Sequence, residues 1–213
     1  MRISVLGATG MAGSAIVDEA LGRGHLVSAV SRTARPTAQE EGLQHVPLDL
    51  TGAGGIDPVL AACDAAVLTV RFPPDVHHQL APATTRVLDA AARTGTRILV
   101  VGGSAPLLSP TDPDRFVIDD PAHVPPQWRS IAQASLDQYH RCVRHPHTDW
   151  VYLSPPAVLE RAERTGCYRR GTNQLLTRAD GTSRIAAADL AMAVLDELES
   201  PGADRHFTVV QTG

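Results

Sequence analysis

The stretch Gly7-Ala8-Thr9-Gly10-Met11-Ala12-Gly13 decides the fold of this chain, and it follows a short apolar run, Arg2–Leu6. Glycines spaced GxxGxxG between a strand and a helix are typical of the turn that holds a dinucleotide's diphosphate. Gly7 permits the tight turn, Gly10 lets the backbone approach the diphosphate, and Gly13 lets the helix pack close to the sheet. The first helical turn adds free N–H groups and a partial positive charge. The residues predicted to bind the cofactor here are Gly7, Thr9, Gly10, Met11 and Ala12.

The composition predicts one globular domain, residues 1–213. The chain is 43% hydrophobic and 20% charged, and its net charge of -4 argues against nucleic acid or an anionic membrane as a partner. It contains no run of about 18 apolar residues, and its N-terminus soon enters a glycine-rich turn, so we expect neither a membrane span nor a signal peptide. Three scattered cysteines without a CxxC pair favour a reduced, cytoplasmic protein. The oligomeric state, monomer or homodimer, stays open.

All 19 basic residues are arginines, and the chain contains no lysine. A Schiff base, a P-loop lysine and a Tyr-x-x-x-Lys catalytic pair are therefore excluded. Tyr139 is followed four positions later by Val143, so we interpret it as a packing or surface tyrosine. Epimerases and dehydratases that depend on a catalytic tyrosine are disfavoured. The nine histidines show no HExxH or Cys/His ligand spacing, and no metal site is expected.

Apolar runs alternate with longer amphipathic stretches along the chain. This alternation predicts a doubly wound α/β fold, a mostly parallel Rossmann sheet with helices on both faces. The predicted strands are Arg2–Leu6, Leu26–Val30, Gln44–Leu48, Ala65–Val70, Arg97–Val101, Trp150–Leu153 and His206–Val210. The main predicted helices are Gly13–Leu21, one opened by Asp57-Pro58, one ending near Thr94, Trp128–Val143 and Ala187–Leu198.

Two segments interrupt this alternation. Residues 104–127 form a long connection rich in proline and aspartate, and residues 154–182 are rich in arginine, glycine and threonine. A connection as long as the first is usually functional or disordered, and we expect a short hairpin in the second. Each follows the carboxyl end of a strand, where open α/β sheets bind ligands. The two segments are therefore predicted to form the substrate side.

The end of the second strand indicates which dinucleotide is bound. NAD-selective sites usually place an acidic residue there for the ribose 2′-hydroxyl, but this chain has Arg32 and Arg35 instead. A guanidinium suits a 2′-phosphate and can stack on adenine. The pattern favours NADP(H) over NAD(H), although both arginines could be merely solvated. Asp49 and Leu50, after the third strand, are predicted to contact the adenine, with a turn or capping role as the alternative for Asp49.

The chain resembles atypical short-chain dehydrogenase/reductase proteins with an NAD(P)-binding domain. The opening from Gly7 to Arg32 carries the general likeness. The segments Val101–Ala105, Asp149–Pro156 (DWVYLSPP), Arg164–Arg169 (RTGCYR) and Gly181–Ile185 resemble a bacterial NADH–flavin reductase branch, which is similar to mammalian biliverdin reductase B. The resemblance covers essentially the whole chain and implies an NAD(P)H-dependent oxidoreductase.

The resemblance also implies where the nicotinamide would lie. The segments implied to surround it follow the fourth, fifth and sixth strands, and they are Val70-Arg71-Phe72, Gly102, Ser104 and Ser154-Pro155-Pro156. Ser104 is the candidate catalytic residue, since its hydroxyl could bind the nicotinamide amide or an acceptor carbonyl; a turn-capping role is the alternative. The candidate substrate-binding residues are Phe72, His123 and Trp128, and a core or helix-start role is the alternative for Trp128.

Hydride transfer to a flat conjugated acceptor, such as free FMN, FAD or a quinone, needs alignment and exclusion of water more than a strong acid. Such a reductase is therefore the first interpretation. Two alternatives remain: a redox sensor that binds NADP(H) without turnover, and a reductase or isomerase of a biosynthetic metabolite. The arginines at 161, 164, 169 and 170 form a basic cluster that either receives an anionic substrate such as FMN or is a solvated face.

Overall fold

A computed structural model describes residues 1–33, 40–52 and 54–212, and it contains one large β-sheet and one small one. The strands of the large sheet are β1 (Arg2–Leu6), β2 (Leu26–Ser31), β3 (Leu43–Pro47), β4 (Ala65–Leu68), β5 (Arg97–Val101), β6 (Trp150–Ser154), β8 (Tyr168–Gly171) and β10 (His206–Gln211). The small sheet pairs β7 (Val158–Glu160) with β9 (Arg184–Ala186).

The large sheet has the order β3-β2-β1-β4-β5-β6-β10-β8. All neighbours are parallel except β8, which runs antiparallel to β10 at the edge. The order reverses at β1, where Leu6 lies between Val30 of β2 and Leu68 of β4. In open α/β sheets, ligands bind outside the carboxyl ends of the strands at such a reversal. The predicted doubly wound Rossmann fold is confirmed.

In the part of the chain that the structure describes, five α-helices cover the sheet on both faces. They are α1 (Met11–Gly22), α2 (Ile56–Ala61), α3 (Leu80–Thr94), α4 (Arg129–Arg144) and α5 (Ala187–Glu199). On one face α1 and α5 bury Ile16 and Val194 against β1, and on the other α2, α3 and α4 bury Leu60, Val87 and Cys142 against β4 and β5. Because strand side chains alternate between the faces, the nearly all-apolar strands fill both layers.

The predicted hairpin within residues 154–182 is wrong. Instead, β8 pairs with β10 and β7 pairs with β9, so each short strand finds a partner far along the chain. Residues 104–127 are folded against this segment: Leu108 is hydrogen-bonded to both Asn173 and Leu175. Leu107 and Val117 form a small apolar core with Leu175. The two segments thus fold together beside the carboxyl edge of the sheet.

A buried carboxylate anchors the second segment. Asp189, in the first turn of α5, is fully buried and accepts the backbone N–H groups of Thr165 and Gly166, at 3.1 and 2.9 Å. It also accepts the Thr165 hydroxyl at 2.8 Å. The neighbouring Arg164 forms an ion pair with Glu19 of α1 at 2.7 Å. The RTGCYR block therefore fastens the segment to two helices of one face.

Replacing Asp189 with alanine should lower the free energy of unfolding by about 3 kcal/mol, because it leaves buried donors without their charged acceptor. Urea unfolding monitored by circular dichroism measures the change. Asp180→Ala is the matched control, since exposed Asp180 makes the same kind of bonds to Thr182 and should matter far less. Equal losses in the two variants would contradict the anchoring role.

Candidate functional site

The turn between β1 and α1 leaves no room for a side chain at Gly7 or at Gly13. Gly7 has φ +100°, and a Cβ on it would lie 2.7 Å from the carbonyl oxygen of Thr69, just beyond β4. A Cβ on Gly13 would collide with the carbonyl of Gly7. Gly13 thus seats α1 directly on the turn, a closer contact than the helix-to-sheet packing predicted for it. The backbone of the turn is left open to the crevice between β1 and β4.

The N-terminus of α1 offers unpaired backbone donors. Gly10 is the N-cap residue, no side chain of the described residues caps the helix, and the first turn contains no acidic residue. Thr9 and Gly10 are exposed, Met11 is partly exposed and Ala12 is buried. Free N–H groups and the partial positive charge of the helix end fit the diphosphate of a dinucleotide. The structure brings these predicted residues into one cradle.

The ends of β2 and β3 carry the candidate adenosine contacts. Arg32 and Asp49 are exposed there, and Arg32 is close enough to help lower the pKa of the Asp49 carboxyl. The larger cause of the lowered pKa is the Thr51 backbone N–H and hydroxyl, each 2.8 Å from the carboxylate. Asp49 therefore shapes a turn, in which the Gly52 backbone also helps to lower the pKa of its carboxyl. Leu50 is buried, and its carbonyl accepts a bond from Arg86; Arg35 lies outside the described residues.

The segment after β4 lies beside the phosphate turn. Val70 is within contact distance of a Cβ built on Gly7, so the end of β4 forms the opposite wall of the crevice. Phe72 is partly buried and packs against the core of α3 and α4. Arg71 is exposed and has no ion pair with any residue in the described ranges. An unpaired guanidinium and an aromatic ring therefore line the edge between β4 and β5.

Two candidate residues, Gly102 and Ser104, follow the end of β5. Gly102 has no space for a Cβ because the hydroxyl of Tyr152 occupies it. That hydroxyl donates to the backbone carbonyl of Ser135 in α4 at 3.1 Å. Ser104 is partly exposed, and its hydroxyl has no hydrogen-bond partner in the described part of the chain. The Ser104 hydroxyl is thus available to a ligand. In the alternative capping role, this hydroxyl would be hydrogen-bonded to the backbone.

The end of β6 is more buried than its predicted role suggests. Ser154 is fully buried, and its hydroxyl lies 2.9 Å from Nε2 of His206 in β10. Pro155 and Pro156, which follow it, are also buried. The Ser154 side chain is therefore occupied within the protein.

His206 is a residue that the sequence reasoning missed. Its ring packs against Tyr139 with a centroid distance of 4.6 Å and against Tyr152 at 5.6 Å. Burial lowers the pKa of His206 from 6.5 to about 4, so the imidazole is neutral at pH 7. The sequence signal that could have predicted its burial is its position at the start of the apolar run His206–Val210. A strand inside a sheet covered on both faces buries its polar residues as well as its apolar ones. Tyr139 proves to be a packing residue.

Two of the candidate acceptor-binding residues, His123 and Trp128, precede α4. Trp128 is 53% exposed in a short 3₁₀ helix, Pro126–Trp128, directly before α4. His123 is partly buried, and its backbone N–H bonds to the carbonyl of Asp120. Because α4 runs antiparallel to β6, both residues lie at the carboxyl edge of the sheet. The structure brings Trp128 and His123 to the same edge as Phe72, and within the described ranges no aromatic ring pair joins any two of the three.

The basic cluster predicted after β6 is largely committed to structural contacts. Arg164 is paired with Glu19, Arg170 is paired with the buried Glu197 at 2.7 Å, and Arg169 donates to the carbonyl of Thr177. Within the described residues only Arg161 of this group has no such contact. Carboxylates thus neutralise two of the four guanidiniums, those of Arg164 and Arg170, and the reception of an anionic substrate by this cluster stays a prediction.

No helix in the described ranges has the length and hydropathy needed to cross a bilayer. No group of three His, Cys, Asp or Glu residues in them could hold a metal ion.

A family model for NAD(P)H-binding proteins matches residues 7–201, which include the phosphate turn and every described edge segment. The chain belongs to this NAD(P)H-binding family. It is 34% identical over 217 residues to the uncharacterized protein YwnB of Bacillus subtilis (strain 168), covering 99% of this chain and 98% of YwnB. The family assignment agrees with the glycine cradle, which is its structural basis.

Two solved structures are similar over nearly their whole lengths. A Streptococcus pneumoniae TIGR4 protein, proposed to be an NADH-flavin reductase, superimposes with a TM-score of 0.88 at 28% identity, covering 99% of each chain. A Bacteroides thetaiotaomicron protein, proposed to be an epimerase, superimposes with a TM-score of 0.87 at 29% identity, covering 100% of this chain and 97% of that one. The comparisons support the predicted atypical short-chain dehydrogenase/reductase family and an oxidoreductase.

His206 should make the protein lose stability in acid. As the pH falls, the imidazole of the unfolded chain, with its pKa near 6.5, is protonated before the imidazole of the folded protein, with its pKa near 4. Its contribution is therefore complete above pH 6.5 and falls by about 3 kcal/mol as the pH drops to 4. Urea unfolding from pH 7 to pH 4 should show a shallower loss for His206→Gln, which can still bond to Ser154. Parallel pH profiles for the variant and the wild type would contradict a buried neutral imidazole.

Proposed function

We propose that the protein is an NAD(P)H-dependent reductase that moves a hydride from NADPH to a flat conjugated acceptor such as a free flavin or a quinone. The observation that carries the proposal is the glycine cradle at the N-terminus of α1, which faces Thr69 and Val70 across the reversal of strand order. No tyrosine–lysine pair accompanies it, because the chain has no lysine. This combination favours a reaction that needs little acid–base help.

The residues present fit a nicotinamide dinucleotide. The unpaired first turn of α1, beside the exposed residues Thr9 and Gly10, would hold the diphosphate, in a cradle where a Cβ at Gly7 has no room. Arg32 would bind a 2′-phosphate, since no carboxylate forms an ion pair with it in the described ranges. The free hydroxyl of Ser104 would orient the carboxamide of the nicotinamide.

The chemistry follows from what these side chains can and cannot do. When bound, the nicotinamide supplies the hydride. The protein's own contribution is to orient the rings and to exclude water. Ser104 can donate a hydrogen bond to a carbonyl, but a hydroxyl is a weak acid, so the proton that completes the reduction comes from solvent. A flavin or quinone tolerates this because its ring system delocalises the negative charge.

The acceptor's flat ring is suited to the aromatic groups at the edge. Phe72 lies on the β4 side, and Trp128 lies before α4 with much of its indole exposed. Exposed indoles offer a large, rigid stacking surface. We assign Phe72, Trp128 and His123 to the acceptor side, and the backbone of Ser154, Pro155 and Pro156 to the nicotinamide side.

The direct test mixes purified protein and NADPH with FMN or menadione and follows absorbance at 340 nm. We expect oxidation well above the rate of the same mixture without protein, because bound reactants replace a bimolecular encounter. Titration of NADPH without acceptor, followed by fluorescence, measures binding separately. If NADPH binds but neither acceptor accelerates its oxidation, the reductase proposal is wrong and a nucleotide-binding sensor is the better account.

Arg32→Ala should raise the Kd for NADPH about tenfold or more while changing the Kd for NADH less than about twofold, because only NADPH carries the 2′-phosphate that a charge-assisted hydrogen bond would hold. Fluorescence titration of both nucleotides measures this. Arg141→Ala, which removes an equal charge from an exposed position of α4, is the control and should leave both affinities unchanged. Equal weakening of the two nucleotides by Arg32→Ala would contradict the preference for NADP(H).

A further inference from the structure

A buried tyrosine supports the loop that carries Ser104. Tyr152, in the middle of β6, is fully buried, and its hydroxyl occupies the space that a Cβ on Gly102 would need. Gly102 directly follows β5, and its backbone N–H donates to the carbonyl of Leu153 at 3.0 Å. The tip of the tyrosine side chain therefore lies against the backbone two residues before Ser104.

The next residue of this loop rests on α4. A Cβ on Gly103 would lie 2.7 Å from the Oγ of Ser135, a residue of α4. The Tyr152 hydroxyl donates either to the carbonyl of Ser135 at 3.1 Å or to Oε1 of Gln138 at 3.3 Å, both in the same helix. The hydroxyl is thus a spacer between α4 and the backbone at Gly102 and Gly103.

The polar groups around this hydroxyl are themselves held in place. Gln138 is buried, and its Nε2 donates to the hydroxyl of Thr84 in α3 at 3.1 Å. Thr84 in turn donates to the carbonyl of Leu80, one turn earlier. Burial raises the pKa of Tyr152, and the Gly103 backbone lies close enough to oppose part of that rise. The hydroxyl is therefore protonated at neutral pH, and it belongs to a network that ties α3, α4 and the end of β5 together.

Ser104 combines a fixed backbone with a free side chain. Its carbonyl accepts the backbone N–H of Leu107 at 3.0 Å, whereas its hydroxyl has no hydrogen-bond partner among the described residues. A free hydroxyl serves a ligand well only when the backbone beneath it is fixed, since a misplacement of about 1 Å can cost much of a group's effect. The contacts of Tyr152 just before Ser104 supply this constraint.

We propose that Tyr152 is a positioning residue for nicotinamide binding, its hydroxyl holding the backbone of Gly102 and Gly103 at a fixed distance from α4 so that Ser104 stays in place to bind the carboxamide. The inference rests on the proposed function, which assigns the Ser104 hydroxyl to the carboxamide. Without the Tyr152 hydroxyl a gap opens beneath Gly102. The loop then settles towards α4 and carries Ser104 away from the nicotinamide.

The test replaces Tyr152 by phenylalanine, which removes only the hydroxyl. We expect the Kd for NADPH to rise about fivefold, the effect of one lost hydrogen bond, while the Kd for ADP-ribose changes less than about twofold because ADP-ribose has the diphosphate but no nicotinamide. Calorimetric titration measures both values. Tyr168→Phe, which removes a hydroxyl bonded to Asp196 at 2.6 Å, is the matched control and should leave both unchanged.

Combining this variant with Ser104→Ala separates positioning from a general loosening of the fold. Ser104→Ala alone should also raise the Kd for NADPH about fivefold, and the double variant should bind no more weakly than either single one, because both changes remove the same contact. A double variant weakened about 25-fold would show independent effects and would overturn the inference. An equal loss of ADP-ribose affinity, or an unchanged NADPH affinity, in Tyr152→Phe would also overturn it.

The remaining outcomes separate this inference from the proposed function. If Ser104→Ala leaves the NADPH affinity unchanged, the assignment of Ser104 is wrong and the inference falls with it, whereas oxidation of NADPH by FMN in the wild type tests the reductase independently. If Tyr152→Phe does not fold, Gly103→Ala decides, because its Cβ would push the loop away from Ser135. A raised Kd for NADPH that Ser135→Gly restores supports the inference, and an unchanged Kd overturns it.

Discussion

The ligand-binding side of this protein depends on one backbone contact, the seating of Gly13 in α1 on the carbonyl of Gly7. Any side chain at Gly13 would collide with that carbonyl, and any at Gly7 would collide with Thr69 beyond β4. The turn is therefore fixed between a helix and a neighbouring strand. Its position fixes the direction of the unpaired N–H groups of α1. Arg32 and Ser104 could contact a dinucleotide only if these N–H groups hold its diphosphate in place.

A chain with arginine as its only strong base uses most of its guanidiniums as structural ties. Buried Glu197 is paired with Arg97 of β5 and Arg170 of β8, so it joins two strands through one carboxylate. Arg164 forms an ion pair with Glu19 of α1. Planar guanidiniums suit such multiple contacts better than ammonium groups do. The arginines without ion pairs in the described ranges therefore carry more information about ligands, and Arg32 and Arg71 are two that lie at the carboxyl edge.

The elements that could be predicted are those whose cause is local. β5 was predicted to the residue because its apolar run and flanking turns are contiguous in sequence, and the phosphate turn is a local pattern of glycines. The pairing of β8 with β10 could not be predicted, since three or four polar residues gain a strand conformation only from a partner at a distance. The same limit applies to the site: the spacing of Arg164 and Arg170 gives no sign of Glu19 or Glu197, and His206 acquires its low pKa from burial that only the assembled sheet creates.

The proposed cofactor side of the site consists mainly of backbone groups, whereas the proposed acceptor side consists of side chains. The cofactor side is mainly backbone, held by glycines that tolerate almost no substitution. The proposed acceptor side consists of the side chains of Phe72, His123 and Trp128, and His123 lies on residues 104–127, a segment that packs around a small core of Leu107, Val117 and Leu175. Side chains on such a separately packed segment can change without disturbing the strands beneath it. The fold thus fixes nucleotide binding, while the choice of acceptor rests on a few edge side chains, so the acceptor must be argued from those residues and not from the fold.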